Sequence, residues 1–319
     1  MTALALQDKT ALDPRFARPE RLFFVIGAQK AGTTWLHDYC SGHPQICVPV
    51  FKELDYWSAI RGGFGTGMLR NRLAKLEGRS PLRRAVSGFL FAKKARALEL
   101  AERLVAGETP GHASYADALF QTYTDQRAAG EISPQYAMLG RDAFAEMNAL
   151  GRDVRFALVM RDPLSRFFSG VKHSVRAVHG DTGVTDDRVR DLWMRQLDKA
   201  ERVYSLLRSS YDMTIRELEA AVPQDRIGYF FYETLFTQAE VDRFCRLLEV
   251  DPRPARLGSV RHGGAGKSVA MPADLAERTL ALLAPTYEFL RARFGDQIPA
   301  SWRKPKLVAA PAAAQTREA

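Results

Sequence analysis

The stretch "FFVIGAQKAGTTWLHDY", residues 23–39, decides how the rest of the chain is read. An apolar run ends at Gly27, a second glycine stands at Gly32, and the pair Thr33-Thr34 opens a segment of helical composition. Strand, glycine-bounded loop and helix start, in that order, make a phosphate cradle, because unpaired backbone N–H groups and the positive end of the helix dipole face the loop. In the common nucleoside-triphosphate loop a lysine directly follows the second glycine, and the next hydroxyl holds magnesium. Here Thr33 follows Gly32, and the lysine, Lys30, lies inside the loop. Such a loop suits one phosphate without a metal, with the ammonium over an oxygen attached to that phosphate.

Away from this corner, strands alternate with helices. Residues 21–27 and 154–160 are apolar runs of the kind buried on both faces of a parallel sheet, and "QICVPV", "AAGEIS" and "RIGYFFY" add three more. Helices are expected over 33–41, capped by Thr33 or Thr34, over 141–150, from Pro163 onward, and over 187–221, 237–249 and 273–293. The alternation predicts an α/β fold: a P-loop-like, doubly wound parallel sheet flanked by helices, with ligands at the carboxyl ends of the strands. Residues 1–20 read as an N-terminal extension, 21–305 as a single domain with a basic helical insertion at about 60–128, and 306–319 as a flexible tail. The insertion carries Arg70, Arg72, Lys75, Arg79, Arg83, Arg84, Lys93 and Lys94, and is expected to form an ordered lid over an acceptor.

The chain has 319 residues, 46% of them hydrophobic, and a net charge of +9, which suits an anionic substrate. Few aromatics are interleaved with the basic residues, so no specific nucleic acid is expected. Cys40, Cys47 and Cys245 are odd in number and form no CxxC pair, which points to a reducing, cytoplasmic compartment. No apolar stretch is long enough for a membrane span.

The segment "GAQKAGTTWL", residues 27–36, resembles the 5′-phosphosulfate loop of sulfotransferases that use 3′-phosphoadenosine 5′-phosphosulfate (PAPS), whose pattern is G-x-x-K-x-G-T-[ST]-x-L. That resemblance implies that Gly27, Gln29, Lys30, Ala31, Gly32, Thr33, Thr34 and Trp35 bind the cofactor, and that Lys30 is catalytic at the leaving oxygen. A second segment, "RDPLSRFFS" at 161–169, resembles the family's R-[DN]-P-x-x-R-x-x-S, in which the first Arg and the last Ser hold the 3′-phosphate; here these are Arg161 and Ser169. Arginine suits the task, since its planar fork grips a phosphate with two parallel bonds. Arg166 is expected to support the loop. A third segment, "KELDYW" at 52–57, resembles the K-E-x-x-[FY]-[FW] of enzymes related to the heparan sulfate sulfotransferases and implies that Glu53 is the catalytic base, with Tyr56 and Trp57 as an apolar wall. Many small-molecule relatives use a histidine base instead, which leaves His37 and His43 as alternatives, followed by His173 and His179 after the second motif. Lys267 and Ser268 in "GGAGKSVAMP" stand where relatives carry a basic loop against the 3′-phosphate, while "EISPQY" has Ile132 where the heparan sulfate 3-O enzymes have a lysine.

The resemblance therefore implies a PAPS-dependent transfer without a metal, with 3′,5′-ADP as product and a hydroxyl or amine of a glycan, lipid or small metabolite as acceptor. The rivals are a P-loop kinase-like phosphoryl transferase, with Asp162 as metal-holding acid, and a basic polyanion-binding protein that uses the insertion.

Overall fold

Five apolar runs build the sheet: β1 (Arg21–Gly27), β2 (Ile46–Cys47), β3 (Ala128–Ile132), β4 (Val154–Met160) and β5 (Ile227–Phe231), all parallel and in the order β2-β3-β1-β4-β5. The computed structural model describes residues 11–62, 67, 70, 96, 99–198, 204–257 and 269–303. β1 is buried from Leu22 onward and β3 throughout, as strands covered by helices on both faces must be. Phe24 lies level with Glu131 on one side and Phe156 on the other, which fixes the register of the three central strands. The chain starts in the middle at β1, runs out to β2, returns to β3 beside β1, then crosses to β4 and β5. The order therefore reverses at β1, and the crevice where such sheets take ligands opens at its carboxyl end.

Among the described residues the helices with defined bounds are α1 (Thr33–Ser41), α2 (Tyr56–Ile60), α3 (Ala113–Leu119), α4 (Arg141–Asn148), α5 (Pro163–His179), α6 (Asp186–Leu197), α7 (Tyr204–Leu207), α8 (Tyr211–Glu219), α9 (Tyr232–Leu235), α10 (Gln238–Leu248), α11 (Ala273–Phe294) and α12 (Ala300–Arg303). Among the described residues, the helix expected over 187–221 is three helices, Asp186–Leu197, Tyr204–Leu207 and Tyr211–Glu219. Val189, Trp193 and Leu197 of α6 pack with α5 and α11 in a cluster of their own, whereas Tyr211, Ile215 and Leu218 of α8 face the sheet. One straight helix cannot serve two cores in different directions, so the chain turns between them.

Phe16 is buried against Tyr115 and Phe120, and Arg15 bridges Asp13 and Asp117, so residues 13–17 dock on the connection that leads to β3. In that connection Leu100 and Leu104 are buried in the main core, and Arg61 pairs with both Glu108 and Glu146. Most of the basic insertion, Arg83 and Arg84 included, lies outside the described residues, as do Lys267 and Ser268. All three cysteines are free and buried. Among the described residues no helix is long and apolar enough to cross a membrane.

Candidate functional site

The loop after β1 is shaped by its two glycines. A Cβ on Gly27 would stand 2.8 Å from the Cβ of Ala137 and 2.9 Å from Cδ1 of Leu158, so only glycine lets the chain leave between the β3 and β4 connections. Gly32 adopts φ +84°, and a Cβ there would also crowd Leu235 and Phe236. Gly32 itself is the N-cap of α1, with no side chain bonded over the helix start. The expected threonine cap is thus displaced: Thr33 and Thr34 are the first two helical residues, and the Thr34 hydroxyl accepts from Lys52 Nζ at 2.8 Å. A helix start without a side-chain cap presents its first-turn N–H groups, here on Thr33, Thr34 and Trp35, to an anion. Ala31 is buried under the loop. Trp35 is half-buried and packs edge-on against Phe236.

Lys30, at φ +71°, sits half-buried on the turn of this loop. Burial lowers the pKa of its ammonium, and Arg176, Arg161 and Arg166 push the same way, against a smaller pull from Glu53. The sheet order brings the second motif to the same place. Arg161 follows β4, and its Nη1 donates to the carbonyl oxygen of Lys30 at 3.2 Å, across 131 residues of sequence. Its guanidinium lies 4.7 Å over the Tyr232 ring, and its backbone N–H and carbonyl both bond the Tyr211 hydroxyl. Ser169 stands half-buried in the second turn of α5. Asp162 caps α5 by accepting the Ser165 N–H at 2.8 Å, and its other oxygen accepts from Tyr287 at 2.6 Å.

The segment after β2 closes the other side. Lys52 Nζ bridges Thr34 and the Glu53 carboxylate, which it approaches to 3.0 Å, so Glu53 is tied to the phosphate loop through its neighbour. Glu53 and Asp55 both hold positive φ, at +60° and +54°. Left-handed non-glycine residues cost free energy and gather at functional sites. Beneath this segment Glu131 is fully buried and accepts from Tyr115, Ser133 and Tyr136. Ser133 Oγ in turn accepts the Asp55 N–H, and Tyr136 accepts the Trp57 N–H, so the Glu131 cluster anchors the Glu53 segment from below. Tyr56 and Trp57 are buried completely, Tyr56 stacked on Tyr115 and Trp57 tilted against His112, because their ring area is covered best in the core. His37 bonds Ser41 on its own helix, and His43 bonds the Asp251 carbonyl.

Beside the loop and α5 lies a cleft of about 200 Å³, lined in part by Gln29, Lys30, Arg166, His173 and Arg208. Gln135, which follows β3, accepts from both Gln29 and Arg208 at 2.8 Å. Gln135 and Arg208 are not among the residues the motifs single out, and Lys52 opens the KELDYW motif without an assigned role; the roles of all three become visible through these long-range bonds. Among the described residues one trio could hold a metal, Glu108, His112 and Glu146, and its two carboxylates already pair with Arg61.

A family model described as "Sulfotransferase family" matches residues 23–253, from within β1 to just past α10. The chain belongs to the sulfotransferase family. A rat sulfotransferase, carbohydrate sulfotransferase 15 of Rattus norvegicus, is 26% identical over 157 residues, which make up 46% of this chain and 26% of that relative's length. The crystal structure of a sulfotransferase from Alicyclobacillus acidocaldarius superposes with a TM-score of 0.57 at 21% identity, covering 90% of this chain and all of that one, and shares the fold. The sulfotransferase domain of the Synechococcus PCC 7002 olefin synthase gives a TM-score of 0.48 at 21% identity, over 84% of this chain and 95% of that domain.

Proposed function

We propose that the protein transfers the sulfo group of PAPS to a hydroxyl or amine of an acceptor, with Lys30 and Glu53 in the catalytic roles. The observation that carries the reading is the bond from Arg161 to the Lys30 carbonyl, because it unites the cations suited to a 3′- and a 5′-phosphate in one site. The residues fit such a nucleotide: a glycine-shaped cradle, a helix start without a side-chain cap, and a guanidinium held over the Tyr232 ring. PAPS supplies a sulfo group already activated by its 5′-phosphate, and 3′,5′-ADP is what remains. The loop from Gly27 to Gly32, with the N–H groups of Thr33, Thr34 and Trp35, holds the 5′-phosphate. Arg161 and Ser169 hold the 3′-phosphate, with Lys267 and Ser268 as further contacts from the glycine-rich loop. Lys30 steadies negative charge on the departing oxygen by electrostatic preorganisation, and Glu53 takes the acceptor's proton. A sulfo group carries one negative charge, fewer than a terminal phosphoryl group, so a lysine and N–H donors suffice where a kinase needs magnesium.

The kinase-like alternative requires Asp162 to hold a metal, yet both its oxygens serve the α5 cap and Tyr287. The rat relative's name adds support for a carbohydrate among the acceptors. The test is incubation with PAPS or ATP and a mixed panel of hydroxyl and amine acceptors, with and without a chelator, read by mass spectrometry. The expected result is a sulfated product and 3′,5′-ADP in both conditions. Magnesium-dependent phosphorylation from ATP would contradict the proposal.

A further inference from the structure

Arg166 is an unusual residue to find where it is. It is 1% exposed, yet no carboxylate among the described residues pairs with it. Its Nη2 donates to the Ser205 carbonyl at 2.8 Å, and Nε and Nη1 have no partner. Burial pushes its pKa down to about 10, so it still carries a full charge at neutral pH. A buried charge with unmet donors is costly unless a counter-charge arrives. The packing nevertheless reserves space for it: a Cβ on Gly170, one turn along α5, would stand 2.9 Å from Nη2. Arg166 lines the cleft beside Lys30, together with Arg208, which Gln135 orients, and with no acidic residue among the lining side chains. The phosphates of the nucleotide already have Arg161, Lys30 and the start of α1. Arg166 and Arg208 lie beyond those assignments.

We propose that this cleft is an anion subsite for the acceptor, in which Arg166, given room by Gly170 and seconded by Arg208, receives a compact anionic group such as a carboxylate or phosphate carried by the molecule that is sulfated. The assignment to an acceptor rests on the sulfotransferase reading. The volume of about 200 Å³ is below the ~300–1,000 Å³ of pockets that enclose whole drug-sized ligands, and fits a single ring or headgroup. An anion entering there meets a field of one sign, strengthened by the low local dielectric.

The test titrates benzoate, phenyl phosphate and benzyl alcohol by calorimetry into the full-length protein saturated with 3′,5′-ADP, so that the nucleotide's phosphate positions are filled. Saturable binding is expected for at least one of the two anions, about tenfold or more tighter than for benzyl alcohol, as a charge-assisted contact gives. The two anions separate a carboxylate site from a phosphate site. Arg166→Gln should erase the preference, and Arg166→Lys should restore part of it. Gly170→Ala should weaken it by crowding a guanidinium that can shift, without removing the charge. All three variants should keep the wild-type affinity for 3′,5′-ADP. Equal binding of both anions and benzyl alcohol by the wild type would overturn the proposal, as would a preference that survives in both Arg166→Gln and Gly170→Ala. If Arg166→Gln fails to fold, Gly170→Ala decides. A protein that does not bind 3′,5′-ADP contradicts the nucleotide reading instead, and the same titrations on the nucleotide-free protein then decide the subsite separately.

Discussion

The two ends of the sheet treat charge in opposite ways. At the amino end, arginines and acids alternate around the strand starts: Arg21 meets Glu20, Asp153 and Glu249, Arg155 meets Asp153 and Glu249, and Arg127 meets Glu20. At the carboxyl end, Lys30, Arg161 and Arg166 have no carboxylate ion-pair partner among the described residues, although they are half-buried or buried. Cations neutralised by their own chain steady the fold, while cations the fold leaves without a carboxylate wait for an anion from outside. Glu131, a fully buried carboxylate near that end, is satisfied by hydroxyl groups.

The difference can be broken at several points. Glu53→Gln keeps the shape and removes the proposed proton acceptor; turnover should fall ~10²–10⁴-fold with the affinity for 3′,5′-ADP unchanged, as steady-state rates and calorimetry would show. Survival of turnover in that variant, with loss in His37→Ala, would move the base to the histidine. Lys30→Ala should lower turnover by ~10²–10³-fold while thermal melting stays at the wild-type value. The lowered pKa of Lys30 also gives a pH signature. The amine becomes neutral, and useless to a leaving oxygen, at a lower pH than an ordinary lysine would, so kcat/KM should decline on the alkaline side below the usual lysine range. Lys30→Arg should move that decline to higher pH. The smallest effect belongs to the amino end: Arg21→Ala should cost about 1 kcal/mol in a denaturant titration and leave turnover alone, because its partners are partly solvated.

Much of this architecture is legible in the residues, for reasons that differ by element. β4 is readable to the residue because seven successive positions form one run with a single partly exposed member. β2 pairs at only Ile46–Cys47 within a longer apolar run, since Pro49 has no N–H to add to a ladder. The Thr33 and Thr34 cap follows sound helix statistics and is displaced because this helix start leaves its first turn open. The meeting of Lys30 with Arg161 depends on strand order, which no local pattern encodes. Gln135 and Arg208 are ordinary polar residues in the sequence, and Lys52 and Arg166 are motif positions whose surroundings it does not show; their distant partners, or the lack of them, mark them out.

The central claim is that the cations at the carboxyl end are set for the two phosphates of 3′,5′-ADP. Calorimetric titration of 3′,5′-ADP and 5′-AMP into the wild type and Arg161→Ala tests it most directly. The account predicts that the wild type binds 3′,5′-ADP more tightly, and that Arg161→Ala loses about 1.5–3 kcal/mol of that affinity while binding 5′-AMP nearly as before. Equal losses for the two nucleotides, or no preference for the 3′-phosphate in the wild type, would contradict it.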